Sequence, residues 1–248
     1  MKRFWMRALL CFALSAALLT GCALSPSSQP AESPTDPLTG QELVWPGQRP
    51  VAIAIDNAAT NTTQWGLSTA SLVLEALTAQ QQATRLCLVY PAVGAVPQVG
   101  PVSAGQDLYW RLLVGQQVLP VQRGGEQFDQ NYLDYYSLRA VDALEVGTNA
   151  FSCETNWQNV PLWHTSGAAL SGVLGSLNIS PALTESRVTD TSSSSSDSES
   201  ETLLSVPNLL PMQENGKLPD ADASDAMSVR VQFDAQNATG FTYDADSK

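Results

Sequence analysis

Arg49-Pro50-Val51-Ala52-Ile53-Ala54-Ile55-Asp56-Asn57 is the stretch on which the fold turns. Five apolar residues run together between a proline and an Asp-Asn pair, which reads as a fully buried strand ended by a turn. Leu86 to Tyr90 repeats the signal and is stopped by Pro91. Between the two, Gly66 to Ala79 reads as a helix, because Leu67, Ala70, Leu74 and Leu77 recur every three or four residues and Ser68 suits an N-cap. Residues 103–115 read as a further helix with Leu108, Leu112 and Trp110 on its apolar side, and Gln116 to Gln122 as a third strand. A short aromatic helix is expected within Asn131 to Leu144, and another after Trp163-His164-Thr165-Ser166, with Thr165-Ser166 as its cap. Alternating strands and helices define an α+β domain of layered mixed sheets with helices, expected over residues 40–183.

The flanks differ sharply from this domain. The chain opens with Lys2, Arg3 and Arg7, continues apolar from Ala8 to Leu19, and reaches Leu19-Thr20-Gly21-Cys22. Basic, then apolar, then small residues is the order of a secretory signal peptide, here residues 1–21. The apolar run is too short for the roughly 20 residues that span a bilayer. Its Leu-Thr-Gly-Cys end resembles the lipobox of bacterial lipoproteins, which implies acylation of Cys22 and cleavage just before it. Residues 22–39 are rich in Ser and Pro and read as a tether. Thr189 to Thr202 holds five consecutive serines followed by acidic residues, so 184–226 reads as a disordered linker. Ser228 to Phe233 alternates polar and apolar as a half-buried strand does, and Phe241-Thr242-Tyr243 is its expected hairpin partner. Residues 227–248 therefore read as the incomplete start of a β-rich C-terminal domain.

Charge narrows the function classes. The chain carries 24 acidic and 12 basic residues, a net charge of −12. Three of the basic residues and no acidic one lie in the signal, so cleavage leaves 24 against nine, or −15. Such a balance argues against nucleic acid and against polybasic docking on anionic lipid. The expected membrane attachment is the lipid anchor alone. Cys87 and Cys153 admit a disulfide in an oxidising compartment, but an apolar strand and a polar loop are unlike surroundings, and a buried free thiol at Cys87 is the better reading. No Cys or His spacing suggests a metal, and no cofactor is expected.

The candidate binding residues are Asp56, Asn57, Glu75 and Arg85. Asp56-Asn57 at a strand's carboxyl end is where ligands sit in layered α/β folds, although a turn is the better reading, since Asp and Asn side chains bond their own backbone there. Glu75 on an apolar helix and Arg85 before a strand suggest a partly buried ion pair, with an anion pocket as the sharper alternative. His164 with Ser166 lacks the geometry and the elbow of a serine hydrolase, and a Cys153–His164 pair is a remote alternative. Gly124-Gly125 lacks the context of a phosphate loop. Trp157, Trp163, Tyr132, Tyr135 and Tyr136 could stack on sugar rings, although aromatics more often fill cores.

With these residues placed, the chain resembles the YerB-like lipoproteins, a bacterial family whose domain has no established function. Arg49 to Asn57, Gly66-Leu67-Ser68, Glu75, Thr84-Arg85, Val99-Gly100-Pro101-Val102-Ser103, Gly124-Gly125 and the Pro161…Thr165-Ser166 segment carry the resemblance over most of residues 38–180. Phe241-Thr242-Tyr243-Asp244 resembles the start of that family's second domain. The chain departs from it at Ser103-Ala104-Gly105-Gln106, where relatives have an Arg-Ser-Ala-Arg pattern. It departs again at Pro161-Leu162-Trp163, where they have Pro-His-Asn. The expectation is thus a membrane-anchored, extracytoplasmic binding module for a cell-envelope component or partner protein. A cell-wall enzyme using Asp56, Glu75 and Arg85 and a degenerate paralogue are the alternatives.

Overall fold

The structure is a computed structural model and describes residues 35–58, 64–77, 83–184, 207–210 and 226–243. The signal peptide, Cys22, most of the tether and nearly all of the serine-rich linker lie outside the described residues. Strand β1 (Val51–Asp56) is the middle of a five-stranded sheet. Its antiparallel neighbour β3 (Thr84–Tyr90) pairs on the far side with the edge strand β2 (Leu72–Leu77). On its other side β1 runs parallel to β4 (Leu119–Gln122), which runs parallel to the short β5 (Val141–Asp142). At the start of β1, Arg49 donates to the carbonyls of Gln117 and Val118 at 2.7 and 2.9 Å, fixing the approach of β4.

Every residue of β1 from Val51 to Ile55 is buried, yet alternate residues serve different layers. Val51, Ile53 and Ile55 join Leu86, Leu88, Tyr90, Leu119 and Val121 in one core. Ala52 joins Cys87 and Val89 in a second core on the opposite face. The helices are α1 (Asp107–Leu113), α2 (Gln127–Tyr135), α3 (Ala143–Val146) and α4 (Gly167–Leu174). The first core is closed by Leu170, Val173 and Leu174 of α4 and Ala143 and Val146 of α3. The second is closed by Tyr109, Trp110 and Leu113 of α1 and Leu133 of α2, and it also takes Leu38. Two hairpins complete the described residues, β6 (Ser152–Thr155) with β7 (Pro161–His164), and β8 (Ser228–Gln232) with β9 (Ala238–Thr242).

The strands expected at 51–55, 86–90 and within 116–122 are present, as are the C-terminal hairpin and the helix capped by Ser166, whose Oγ accepts from the Ala169 amide at 3.4 Å. The helix expected over 66–79 is not: Leu67–Thr69 is a single 3₁₀ turn and Leu72–Leu77 is strand β2. Leu72, Leu74 and Ala76 pack on the second core and Val73 on the first, a period of two that the three-and-four spacing masked. Ser68 lies inside the 3₁₀ turn and caps nothing; the turn begins at Gly66, whose φ of 89° is in the left-handed region. A Cβ there would stand 2.7 Å from Tyr90 Oη, which donates to the Gly66 carbonyl at 2.8 Å.

Helix α1 buries Trp110 as expected, but not the leucines expected beside it. Leu108 and Leu112 are 44% and 52% exposed, whereas Tyr109, Trp110 and Leu113 are buried. The larger aromatics win because each polar tip finds an acceptor: Tyr109 Oη donates to the Arg85 carbonyl at 2.6 Å, and Trp110 Nε1 to Asp129. Cys87 is a buried free thiol and Cys153 an exposed one, so no disulfide joins them. Burial pushes the Cys87 thiol well above its ordinary range.

Asp129 is the polar centre of the second layer. It is 1% exposed on the inner side of α2 and accepts from Trp110 Nε1 and from Gln122 Nε2, the latter at 3.1 Å. Gly105 and Gly125 press on this group. A Cβ on Gly125 would meet Asp129 Oδ2 at 1.9 Å, and one on Gly105 would meet Gln122 Oε1 at 1.9 Å. Burial raises the Asp129 carboxyl above its ordinary value, and the two hydrogen bonds oppose that rise. The native state therefore keeps a proton that the unfolded chain has already lost, so this group's contribution to stability falls as pH rises from the ordinary aspartate range through the raised native value. Asp129→Asn cannot ionise. Urea denaturation at a series of pH values should show the stability of Asp129→Asn relative to wild type improving from pH 4 to pH 7. A relative stability that declines over that range would show that hydrogen bonding, not desolvation, governs the carboxyl.

Candidate functional site

Strands β1, β4 and β5 are parallel, so their carboxyl ends, at Asp56, Gln122 and Asp142, open on one edge of the sheet. Pairing of β1 with β4 spans only Val51–Ile53 against Leu119–Val121. Beyond it the strands part, and residues 101–105 enter the gap. The Asp56 amide donates to the Pro101 carbonyl and the Ser103 amide to the Ala54 carbonyl, both at 2.9 Å. On the other flank the Arg123 amide donates to the Ser103 carbonyl and the Gly105 amide to the Gly124 carbonyl, both at 2.8 Å. The Gly-Pro-Val-Ser segment is thus a plug set where neighbouring strands diverge, the position at which open α/β sheets take ligands. Nothing in the local pattern announced it, because long-range backbone bonds make it. Gly100 is the one local trace: a Cβ there would stand 2.7 Å from the Trp163 carbonyl.

Of the two arginines that the family resemblance implies after Gly-Pro-Val, the first would fall on this plug at Ser103 and the second just past it at Gln106. Here Ser103 is 8% exposed, and Gly105 lies where no side chain fits. One cation near the plug is Arg123, whose guanidinium lies over the Trp163 ring at 5.3 Å. Gly124-Gly125 serves the packing of Asp129 and Leu144.

The four candidate residues divide between the two faces of the sheet. Asp56 is the register partner of Arg85, and the two form an ion pair, with side chains 22% and 30% exposed. Burial lowers the Arg85 guanidinium from its ordinary value. Glu75 is the register partner of Leu86, one residue on, and so projects from the opposite face. The expected Glu75–Arg85 pair does not form for this reason. Glu75 instead accepts from Asn57 Nδ2 at 3.3 Å and from Thr239 Oγ1 of β9. Asn57 Nδ2 also donates to Thr84 Oγ1 at 2.6 Å, and Gln64 Nε2 donates to Asn57 Oδ1 at 2.8 Å. The Ala58 amide donates to Asp56 Oδ1 at 3.2 Å, the bond of an Asx turn. Gln64 and Thr239 are members of this network that the sequence did not single out, Thr84 entered only through the family resemblance, and Thr239 is too distant in the chain for any local signal.

His164 belongs to a separate polar group on the β6–β7 hairpin. Its Nε2 is 3.1 Å from Glu154 Oε1, its Nδ1 is 3.4 Å from Gln98 Nε2, and its ring centre is 5.4 Å from that of Trp65. It lines a cavity of about 280 Å³ with Gln98, Thr165 and Ser166. Register pairs His164 with Ser152 and Cys153 with Trp163, so Cys153 and His164 project from opposite faces. Among the described residues no cluster of three His, Cys, Asp or Glu side chains could hold a metal ion, and no helix is long and apolar enough to cross a membrane.

A plugged mixed sheet covered by helices on both faces is an architecture that comparison with known proteins assigns to a family. Residues 38–175 match the N-terminal domain of a protein of unknown function (DUF3048), and the chain belongs to that family. Among solved structures it is similar to the YerB protein from Bacillus subtilis, with 23% identity and a TM-score of 0.51 over 60% of this chain. The match takes in 52% of that protein, so the chain spans about half of its relative's length. At this identity the likeness shows the fold. No curated protein matches the chain.

The division of the candidate residues can be measured. A double-mutant cycle on Asp56 and Arg85, each changed to Ala, should return a coupling of about 0.5–1 kcal/mol, as expected for a close pair that solvent partly screens. The same cycle on Glu75 and Arg85 should return less than about 0.3–0.5 kcal/mol, the range of additive sites. Equal coupling in both cycles would mean that the three side chains meet on one face.

Proposed function

We propose that the protein is a membrane-anchored lipoprotein on the extracytoplasmic face, acting as a non-catalytic binding module for a cell-envelope component or partner protein. The address rests on Lys2, Arg3 and Arg7, the apolar run to Leu19, and Leu19-Thr20-Gly21-Cys22. Two or more acyl chains on Cys22 would hold it firmly, since each buried CH₂ contributes about 0.8 kcal/mol. The observation that carries the binding role is the way the charged groups at the sheet edge are occupied. Asp56 pairs with Arg85, Glu75 accepts from Asn57 and Thr239, and Asp142 accepts from the Gly124 and Leu144 amides at 2.8 Å. A general acid or base needs to reach a proton of the substrate, and these groups are already tied into turns and caps. The enzyme reading requires Asp56, Glu75 and Arg85 to converge, and their register sends them to two faces.

Expression of wild type and Cys22→Ala in cells fed labelled palmitate tests the address. The wild type should carry label and remain in membranes washed with high salt, whereas Cys22→Ala should be unlabelled and released. An unlabelled, soluble wild type would overturn the anchor. Incubation with peptidoglycan fragments should release no product, and turnover that Glu75→Ala abolishes in a folded protein would overturn the non-catalytic role.

A further inference from the structure

Helix α2 is inside out. Its buried residues are Asp129 and Leu133, while Phe128 and Tyr135 are 73% and 81% exposed. Phe128, Tyr132, Tyr135 and Tyr136 follow at spacings of four, three and one, which puts them on one side of the helix. The Tyr132 and Tyr136 rings lie 4.7 Å apart between centres and those of Tyr135 and Tyr136 4.9 Å apart, so the rings support one another and are not splayed into solvent. Exposed aromatic clusters of this kind mark contact surfaces. The helix is held in this orientation by the hydrogen bonds that reach Asp129 from Trp110 and Gln122. Rotating α2 to bury the rings would pull that carboxylate out of its partners.

The surroundings of the rings define what they suit. On one flank Gln127 Nε2 donates to Asn131 Oδ1 at 2.8 Å, an amide pair held in place one turn apart. On the other flank Arg111 lies over the Tyr132 ring at 5.1 Å, with its charge balanced by Asp107 at 2.8 Å. The platform therefore offers flat apolar faces bordered by amides and phenol hydroxyls, and the exposed Asp134 of the same helix accepts from Gln130 Nε2 at 2.9 Å. The pyranose ring has the complementary surface, C–H groups on its face and hydroxyls around its rim. The chain's net charge of −12 disfavours polyanions such as phosphate-bearing polymers.

Building on the binding-module reading above, we propose that Tyr132, Tyr135 and Tyr136 of α2 form a binding platform for an uncharged polysaccharide of the cell envelope. Trp157 and Trp163 are not part of it. Trp163 packs with the first core and under Arg123, whereas Tyr132 packs with the second core across the sheet.

Titration of the full chain with chitotetraose and with cellotetraose, followed by calorimetry and by tyrosine ring shifts in NMR spectra, tests the platform. At least one of these sugars should bind, shifting the Tyr132, Tyr135 and Tyr136 ring signals. The Tyr135→Ala/Tyr136→Ala double variant should keep the thermal midpoint of the wild type and lose at least tenfold in affinity, while Trp157→Ala binds as wild type does. Absence of binding to both sugars overturns the proposal, as does binding that the double variant retains. A concentration-dependent dimer that the double variant abolishes also overturns it, because the face would then be occupied by a second copy. Retention of wild type and double variant alike on deproteinised cell-wall sacculi would leave the binding-module reading standing while removing this site.

Discussion

Burying the Asp129 carboxylate is tolerable only because Trp110 and Gln122 donate to it and because Gly105 and Gly125 leave room for it. Those four neighbours come from α1, from β4, from the plug segment and from the loop before α2. One group therefore sets the distance between the helical layer and the carboxyl edge of the sheet. It also sets the rotation of α2, and with it the outward direction of the tyrosines. A leucine of similar size could fill the space, but it would offer the indole and amide N–H groups nothing to bond, and each such loss costs about 1–3 kcal/mol.

The second organising constraint is the parity of the strands. In β1, β2 and β3, odd and even positions supply different cores, and the polar ends of the strands inherit the same division. Asp56 and Arg85 meet beneath α1, where Tyr109 bonds the Arg85 backbone. Asn57, Thr84 and Glu75 meet on the other side, where the β8–β9 hairpin reaches them through Thr239. What looks along the chain like one cluster of charge is two separate devices, each closing its own face.

Much of the fold was legible in the sequence wherever a residue's role depended on its neighbours in the chain. The runs at 51–55 and 86–90 are readable as strands because they are short and bounded by proline or turn residues, and Ser166 as a cap because it precedes an apolar helical stretch. β2 was obscured because Leu67, Ala70, Leu74 and Leu77 satisfy a helical period by coincidence, while the alternation that matters begins at Leu72. The buried face of α1 was read correctly at Trp110 and misjudged at Leu108 and Leu112, because leucines outrank tyrosines on apolarity although Tyr109 has an acceptor waiting in the core. Of the candidate site, the turn at Asp56-Asn57 was readable. The partners of Glu75 and Arg85 were not, since they follow from the register of β2 and from Thr239, 164 residues away from Glu75. The plug at residues 101–105 was hidden for the same reason.

The strict alternation in β1 to β3 has a consequence for how such a domain can change over generations. Substitutions at alternate positions of any one strand repack one layer and leave the other in place, so the two cores can drift independently while the sheet between them persists. Insertion or deletion of one residue within any of these strands exchanges the layers at every later position of that strand. Length variation is thereby pushed into the turns, and composition can wander within the strands. A relative 23% identical can keep this architecture on those terms, with each face free to take up or lose a binding role without the consent of the other.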